Sequence, residues 1–158
     1  MARKIQLILF LMVITVATVL SCKKEKDDST PAAKTKTELI TTGSWKRTAL
    51  VSNPAYDWNA NGVFDTNILN TMFSCEKDNF ETYQKNGMVV TSEGASKCNA
   101  SDPQTWSVTW SFGDNETKLI WDGNDVYTLL ELTETTLKFQ STFVENGVTY
   151  TQTETYGH

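Results

Sequence analysis

Residues 57–65 place oxygen-bearing side chains at the spacing of a calcium-binding loop. Counted from Asp57, a glycine stands at position 6, and oxygen ligands stand at positions 1, 3, 5, 7 and 9, namely Asp57, Asn59, Asn61, the carbonyl of Val63, and Asp65. Position 12 is Ile68. Because the bidentate carboxylate is missing there, we expect a dissociation constant on the order of 0.1–1 mM. The alternative is a series of Asx turns without metal.

Catalytic side chains are poorly represented in the sequence. The only histidine is the last residue, His158, so no Ser/His/Asp or Cys/His arrangement has a fixed base. Carboxylate pairs such as Asp122 with Asp125 and Glu131 with Glu134 flank predicted turns, where acidic side chains usually face water. A two-carboxylate glycosidase needs one acid of raised pKa in an open cleft. We therefore predict that the protein is not an enzyme.

Large aromatic side chains are the second group that could form a binding site. The predicted ligand-contacting set is Trp45, Trp106, Trp110, Trp121, Tyr127, Phe139 and Phe143. An eight-stranded barrel is just wide enough to fill itself with side chains or to hold one small ligand. A domain of this size needs most of its buried apolar surface to offset chain entropy, so a filled core and a functional cavity are both open.

Alternating apolar and polar residues dominate residues 104–156 and predict the strands that would position these aromatics. Short Gly- and Asn-containing turns separate the runs, and Asn146-Gly147 is typical of a type I′ hairpin. With the earlier runs, eight strands are predicted at residues 45–51, 80–84, 88–92, 105–112, 118–121, 126–132, 136–144 and 148–156. Neighbour-to-neighbour hairpins favour an all-β, eight-stranded antiparallel up-and-down barrel over a β-sandwich.

The one long connection, residues 52–78, is predicted to contain a short amphipathic helix. Ile68, Leu69, Met72 and Phe73 have helical spacing, with Thr66 or Asn67 as the cap. The helix would lie across one end of the barrel. We expect its apolar stripe to pack into the core, with ligand contact as the alternative.

Residues 1–21 have the features of a lipoprotein signal peptide. Arg3 and Lys4 precede an apolar run at residues 7–20 that is short for a membrane span. The tetrad ending at Cys22 resembles the lipobox of bacterial lipoproteins, which implies cleavage before Cys22 and lipidation of that cysteine. Leu20 is a less usual residue at its lipobox position. The alternative is an ordinary signal peptide followed by a chance cysteine.

Without residues 1–21, the chain is acidic and begins with a polar segment. Without the signal peptide, which contains Arg3 and Lys4, 12 basic residues face 19 acidic ones, a net charge of −7 that disfavours nucleic acid as a partner. Residues 22–37 lack apolar periodicity and are predicted to be a disordered tether. Within it, Lys26-Asp27-Asp28 resembles the surface-export signal of Bacteroidetes lipoproteins, although an ordinary solvated tether explains it equally well.

Two cysteines remain once Cys22 is assigned to lipid. In an oxidising compartment Cys75 and Cys98 form the only intrachain pair, and closing their loop would stabilise the fold by roughly 3 kcal/mol. The alternative, free thiols or metal ligands, lacks a CxxC spacing and nearby histidines. We predict the disulfide.

Gly43-Ser44-Trp45 is similar to the Gly-x-Trp signature of lipocalins. Together with the spacing of Cys75 and Cys98, the strand at Thr105-Trp106-Ser107 and the last hairpin, it resembles the lipocalin-like domain of Bacteroidetes lipoproteins over residues 39–156. The resemblance implies a calyx-like barrel on a lipid anchor and does not by itself imply an activity.

The sequence thus predicts a signal peptide at 1–21, a tether at 22–37 and a lipocalin-like barrel at 38–158. The predicted function is that of a binding protein, anchored in the outer membrane of the bacterial cell envelope, that holds a small hydrophobic or amphipathic ligand. The alternative is a surface interaction module with a filled core that binds a protein or glycan through its loops. We expect a monomer with no cofactor other than weakly bound calcium.

Overall fold

The computed structural model describes residues 32–158, and residues Ala33–His158 form one compact unit. The predicted signal peptide, Cys22 and most of the predicted tether lie outside the described residues. The helices are α1 (Lys36–Ile40), α2 (Ile68–Thr71) and α3 (Ser74–Lys77). The strands are β1 (Trp45–Tyr56), β2 (Asp65–Asn67), β3 (Phe80–Tyr83), β4 (Met88–Ser92), β5 (Thr105–Gly113), β6 (Lys118–Trp121), β7 (Asp125–Leu132), β8 (Thr136–Glu145) and β9 (Val148–Gly157).

The sheet closes on itself. Consecutive strands from β3 to β9 pair antiparallel with one another. β1 closes the ring by pairing with both β9 and β3. β1 pairs with β9 from Lys46 opposite Gly157 to Asn53 opposite Thr151, and with β3 only at Trp45 and Lys46. The predicted eight-stranded up-and-down barrel is confirmed, because a β-sandwich would leave two separate sheets. β2 is an extra short strand beside the outer part of β1.

The strand boundaries lie within two residues of the predicted ones except in β1. This strand continues to Tyr56, five residues beyond the prediction, because its outer half pairs with both β9 and β2. The predicted type I′ hairpin is present, since Asn146 and Gly147 both have positive φ, 49° and 77°. β2 has the sequence Asp-Thr-Asn, which carries no apolar alternation, and was therefore not predicted.

Alternating strand directions put the turns at two ends of the barrel. The first, here called the closed end, contains the turns at residues 84–87, 113–117 and 133–135, and α1 lies across it. Ile40 of α1 is fully buried, and its carbonyl accepts a hydrogen bond of 2.8 Å from Nε1 of Trp45. Lys36 also donates to the carbonyl of Glu116 at 2.6 Å.

Helix α1 begins two residues before the predicted start of the domain at Glu38. Thr35 caps it, because its hydroxyl accepts from the Glu38 amide at 3.2 Å and the Glu38 carboxylate accepts from the Thr35 amide at 2.8 Å. The last residues of the predicted tether therefore belong to the folded unit. None of the helices within residues 32–158 has the length and apolar character needed to cross a membrane.

The main core occupies the half of the barrel nearer the closed end. Its buried members are Ile40, Trp45, Tyr83, Val89, Trp110, Leu119, Leu137, Phe139 and Tyr156. Tyr83, Leu137 and Tyr156 each lie next to a strand terminus at that end. A second, smaller cluster joins Leu50 of β1 to Ile68 and Met72.

Candidate functional site

Five of the seven aromatic residues predicted to line the barrel are brought together in the main core. Trp45, Trp110 and Phe139 are buried, and Trp121 and Tyr127 pack against them. Ring centroids of Tyr127 and Phe139 lie 5.0 Å apart, and those of Trp121 and Phe139 lie 6.0 Å apart. These distances are those of mutually packed aromatic rings. Side chains therefore fill this half of the barrel.

Trp106 and Phe143 depart from the prediction. Trp106 and Trp110 are four residues apart on β5 and therefore lie on the same, inward face. Trp106, however, is near the start of β5, at the end opposite α1, and is 42% exposed. Phe143 also lies toward that end and packs outside the main core. This end, here called the mouth, contains the turns at residues 122–124 and 146–147 and the segments 57–64 and 93–104.

Aromatic rings line one side of the mouth. Phe143 stacks on Tyr150 with ring centroids 5.2 Å apart, and Tyr56 lies edge-on to both, at 5.3 Å from Phe143 and 4.9 Å from Tyr150. Trp58 extends the group outward, with its ring 6.4 Å from Tyr56 and 40% of its side chain exposed. These four residues, Tyr56, Trp58, Phe143 and Tyr150, are here called the aromatic mouth cluster; its exposure rises from 8% at Tyr150 to 40% at Trp58.

A polar cluster lies deeper in the barrel and was not predicted. Its members are Arg47, Glu81, Tyr83, Glu154 and Tyr156. Arg47 Nε donates to Glu154 Oε2 at 2.8 Å, and Arg47 Nη2 donates to the Tyr156 hydroxyl at 2.9 Å. The hydroxyl of Tyr83 donates to Glu81 Oε2 at 3.2 Å. One guanidinium group thus faces two carboxyl groups in a largely buried space.

Strand register brings these five residues together. Glu81 lies opposite Trp45 in the pairing of β1 with β3, and Arg47 lies opposite Tyr156 in the pairing of β1 with β9. A bulge between Arg47 and Ala49 shifts the alternation, so that Leu50 and Ser52 continue the buried face of β1. Each charged residue therefore occupies an inward position that alternation alone would assign to an apolar side chain.

The tyrosine hydroxyl at the centre of the cluster shows how the protons are arranged. The Tyr156 oxygen lies 2.8 Å from Glu154 Oε2 and 3.2 Å from Glu81 Oε1. Because a tyrosine has one hydroxyl proton, it can donate to only one carboxylate, and the shorter distance favours Glu154. The contact with Glu81 is then satisfied when Glu81 carries a proton and donates it to Tyr156.

The electrostatic environment favours the same arrangement. Burial, followed by repulsion from Glu154, raises the pKa of Glu81 to about 7, against the opposing effect of Arg47. Burial opposes the charged form of Arg47, yet Tyr156 and Glu154 raise the pKa of its guanidinium above the usual value. Near neutral pH the cluster therefore contains the Arg47–Glu154 ion pair and a Glu81 that readily holds a proton.

Gln152 lies on the inward face of β9 between the polar cluster and the mouth. Its side chain is 8% exposed, and within residues 32–158 its Nε2 has no hydrogen-bond partner. Solvent reaches the cluster beside it, because the side chains of Arg47 and Glu154 are 24% and 16% exposed. From the mouth inward, β9 therefore presents an aromatic ring, an amide and a carboxylate at Tyr150, Gln152 and Glu154.

The predicted calcium loop has the hydrogen bonds of Asx turns. Asp57 Oδ1 accepts from the Asn61 amide at 3.0 Å, and Asp57 Oδ2 accepts from the Gly62 amide at 2.8 Å. Asn61 Oδ1 accepts from the Val63 amide at 2.7 Å. Among the described residues, no three His, Cys, Asp or Glu side chains are grouped to hold a metal. Calcium binding by Asp57, Asn59, Asn61, Val63 and Asp65 stays a prediction.

The predicted disulfide between Cys75 and Cys98 is present, with Cα atoms 5.2 Å apart. Asp78 reinforces the same loop, because its Oδ2 accepts from the Ala95 amide at 3.0 Å and from the amide and hydroxyl of Ser96, both at 2.9 Å. The hydroxyl and amide bonds from Ser96 hold the pKa of Asp78 below its ordinary value. Free thiols and metal ligation by these cysteines are excluded.

The predicted helix at residues 67–73 is divided in two. Met72 and Phe73 have extended backbone conformations, so α2 ends at Thr71 and α3 begins at Ser74. Ile68 and Met72 pack against Leu50 as expected for core residues. Phe73 is 66% exposed and does not join them.

The remaining polar features lie away from the mouth. The ring of His158 lies 4.0 Å from that of Trp45 at the closed end, and its Nδ1 is 2.9 Å from the Ser44 carbonyl. A surface pocket of about 270 Å³ lies between α1 and the turn at residues 84–87. It is lined by Lys34, Glu38, Thr41, Thr42 and Lys85.

The sequence was compared with models of protein families and with curated proteins, and neither comparison gave a match.

Proposed function

We propose that the protein is an exported, lipid-anchored, lipocalin-like binding protein that holds a small hydrophobic or amphipathic molecule at the barrel mouth. The observation that carries the proposal is the difference between the two ends. Helix α1 and Trp45 cover one end. At the other end Tyr56, Trp58 and Phe143 are partly or largely exposed, and solvent reaches the polar cluster deeper in the barrel, although Ile68 and Met72 are buried beside Tyr56.

The aromatic mouth cluster suits an apolar group. Tyr56, Phe143 and Tyr150 contact one another through their rings, so a ligand would meet a preformed surface. Because these side chains are already ordered, binding would cost little side-chain entropy. The main core fills the half of the barrel nearer the closed end, and Leu50, Ile68 and Met72 occupy part of the other half, where Met72 Sδ lies 3.9 Å from Arg47 Nη1. The ligand is therefore small.

Intrinsic fluorescence tests the proposal, because Trp58 and Trp106 lie at the mouth. The barrel unit Ala33–His158 has its own core and closed ladder of strands and suits this measurement. It would be titrated with fatty acids, long-chain alcohols, sterols, bile acids and haem. We expect at least one class to shift the emission saturably and to raise the melting temperature.

A pair of variants localises the binding. Phe143→Ala removes a mouth ring and should weaken binding by about tenfold or more, which corresponds to about 1.4 kcal/mol or more of lost contact. Phe73→Ala, which changes an exposed ring outside the cluster, should leave the affinity unchanged. If no compound in the panel alters emission or melting, the binding proposal is wrong.

The surface interaction module is the second candidate. Trp58, Val63, Phe64 and Phe73 on the connection after β1 are 40%, 57%, 61% and 66% exposed. Large apolar side chains grouped on a loop often mark a protein or glycan contact. A combined Val63→Ser and Phe64→Ser variant distinguishes the two functions, because it should abolish partner binding while leaving small-molecule binding at the mouth intact.

A further inference from the structure

The unpartnered amide of Gln152 and the carboxylate of Glu154 specify the polar group that would bind beneath the mouth. They stand two residues apart on the inward face of β9, which separates their Cα atoms by roughly 7 Å. Glu154 Oε2 already accepts from Arg47 and Tyr156. Within the described residues both of these bonds are on Oε2 and none reaches Glu154 Oε1, while Gln152 Nε2 is buried without an acceptor.

Three kinds of head group can be compared against this pair. A hydroxyl group accepts from Gln152 Nε2 and donates to Glu154 Oε1, so both groups are satisfied. A carboxylate can only accept, and it would stand beside the charged Glu154 while the one guanidinium of the cluster is already paired. An ammonium group can only donate, and it would leave the buried Gln152 amide without an acceptor.

The apolar part of such a ligand has a defined direction. Tyr150 precedes Gln152 on the same face of β9 and stacks on Phe143 toward the mouth. A head group bound between Gln152 and Glu154 therefore has the aromatic mouth cluster on its outer side. The tail would lie against those rings and point toward solvent.

We propose that the barrel selects neutral amphiphiles that carry a hydroxyl head group, bound between Gln152 and Glu154, and discriminates against carboxylate and ammonium amphiphiles. This inference rests on the proposed function, since it names the class of ligand that the same mouth would take.

Three ten-carbon probes that differ only in the head group test the inference. Decanol, decanoate and decylamine would be titrated separately into the barrel unit at pH 7, with fluorescence and calorimetry as readouts. We expect decanol to bind at least about tenfold more tightly than either charged probe, the equivalent of about 1.4 kcal/mol.

The variant Gln152→Leu removes the amide and keeps an apolar side chain of similar size. It should reduce decanol affinity by about tenfold and abolish the preference for decanol. The matched control is Gln140→Leu, because Gln140 lies on the outward face of β8 and bonds Thr153. The melting temperature of Gln152→Leu should equal or exceed that of the unaltered unit, because a buried unpaired amide is lost.

The outcomes separate this inference from the proposed function. If decanoate or decylamine binds as tightly as decanol, or if Gln152→Leu keeps the preference, the head-group assignment is wrong while the mouth remains a binding site. If none of the three probes binds and the wider panel also fails, the proposed function itself is overturned.

Discussion

Glu81 shows how a single buried carboxyl group can control the stability of the barrel. It is 6% exposed, and the cation of the cluster, Arg47, is paired with Glu154. The pKa of Glu81 is raised to about 7 from an ordinary value of 4.5. Between these two values the folded protein holds a proton that the unfolded chain has lost. The contribution of Glu81 to stability is therefore greatest below pH 4.5 and is lost as the pH rises through about 7.

The substitution Glu81→Gln should remove this pH dependence. A glutamine has the size of the protonated acid and never ionises, so at pH 8 the variant should be more stable than the unaltered protein. The shift in pKa corresponds to about 3 kcal/mol, and the difference should disappear near pH 4.5. Urea denaturation at a series of pH values measures it.

The control for Glu81→Gln is Glu131→Gln, which changes an exposed carboxylate and should have the same small effect at every pH. Equal stability of Glu81→Gln and the unaltered protein at pH 8, together with a constant difference across the pH range, would contradict the protonated state of Glu81.

At the scale of elements, the strands could be predicted because each one exposes a face to water and buries the other. The sequence of such a strand alternates between apolar and polar residues. In β8, for example, Leu137 and Phe139 are buried and alternate with Lys138 and Gln140. Helix α1 was not among the predicted elements, because five residues are too few to show a helical period. Its capping box at Thr35 and Glu38 was the available signal.

Helix α1 acts as a plug, and Ile40 is its buried residue. We expect Ile40→Ala to destabilise the barrel by about 3 kcal/mol, because it leaves a cavity beside Trp45. Leu39→Ala changes a half-buried neighbour in the same helix and should cost clearly less. Thermal and urea unfolding of both variants give the comparison, and equal losses would show that α1 is not a plug.

The disulfide joins α3 to the segment before β5. Replacing Cys75 and Cys98 by serine should lower the free energy of unfolding by about 3 kcal/mol, because the unfolded chain gains the entropy of the opened loop. The circular dichroism spectrum should keep its strand signature, since the barrel ladder does not depend on the bond. Loss of that signature would mean that the disulfide is required for the fold.

The calcium prediction belongs to the loop at residues 57–65. Bound calcium would have to compete with the amides of Asn61 and Gly62 for the carboxylate of Asp57. If the site exists, several millimolar calcium raises the melting temperature and Asp57→Ala abolishes the rise. If calcium leaves the melting temperature unchanged, the loop does not bind calcium and is a series of Asx turns.

In the whole molecule, closure of the barrel brings together residues whose proximity could not be predicted from the sequence. Arg47 and Glu154 are 107 residues apart and meet only because β1 pairs with β9. Each was visible in the sequence as a charge on a strand, but neither indicated its partner. The aromatic core was predictable because inward apolar side chains pack against one another whichever strands are neighbours. The polar cluster and the identity of the mouth depend on which strands are neighbours.

The chain joins the barrel at the closed end, opposite the mouth. The first described residues, up to Lys36, thus lie at the end away from the aromatic mouth cluster.

Chemical-shift mapping by NMR would show whether a ligand binds at the mouth. When decanol is added to the isotope-labelled barrel unit, we predict saturable shifts at Tyr56, Phe143, Tyr150 and Gln152, with the residues of α1 unchanged. Shifts confined to α1 and the closed-end turns, or no shifts at concentrations up to the solubility of decanol, would contradict ligand binding at the mouth.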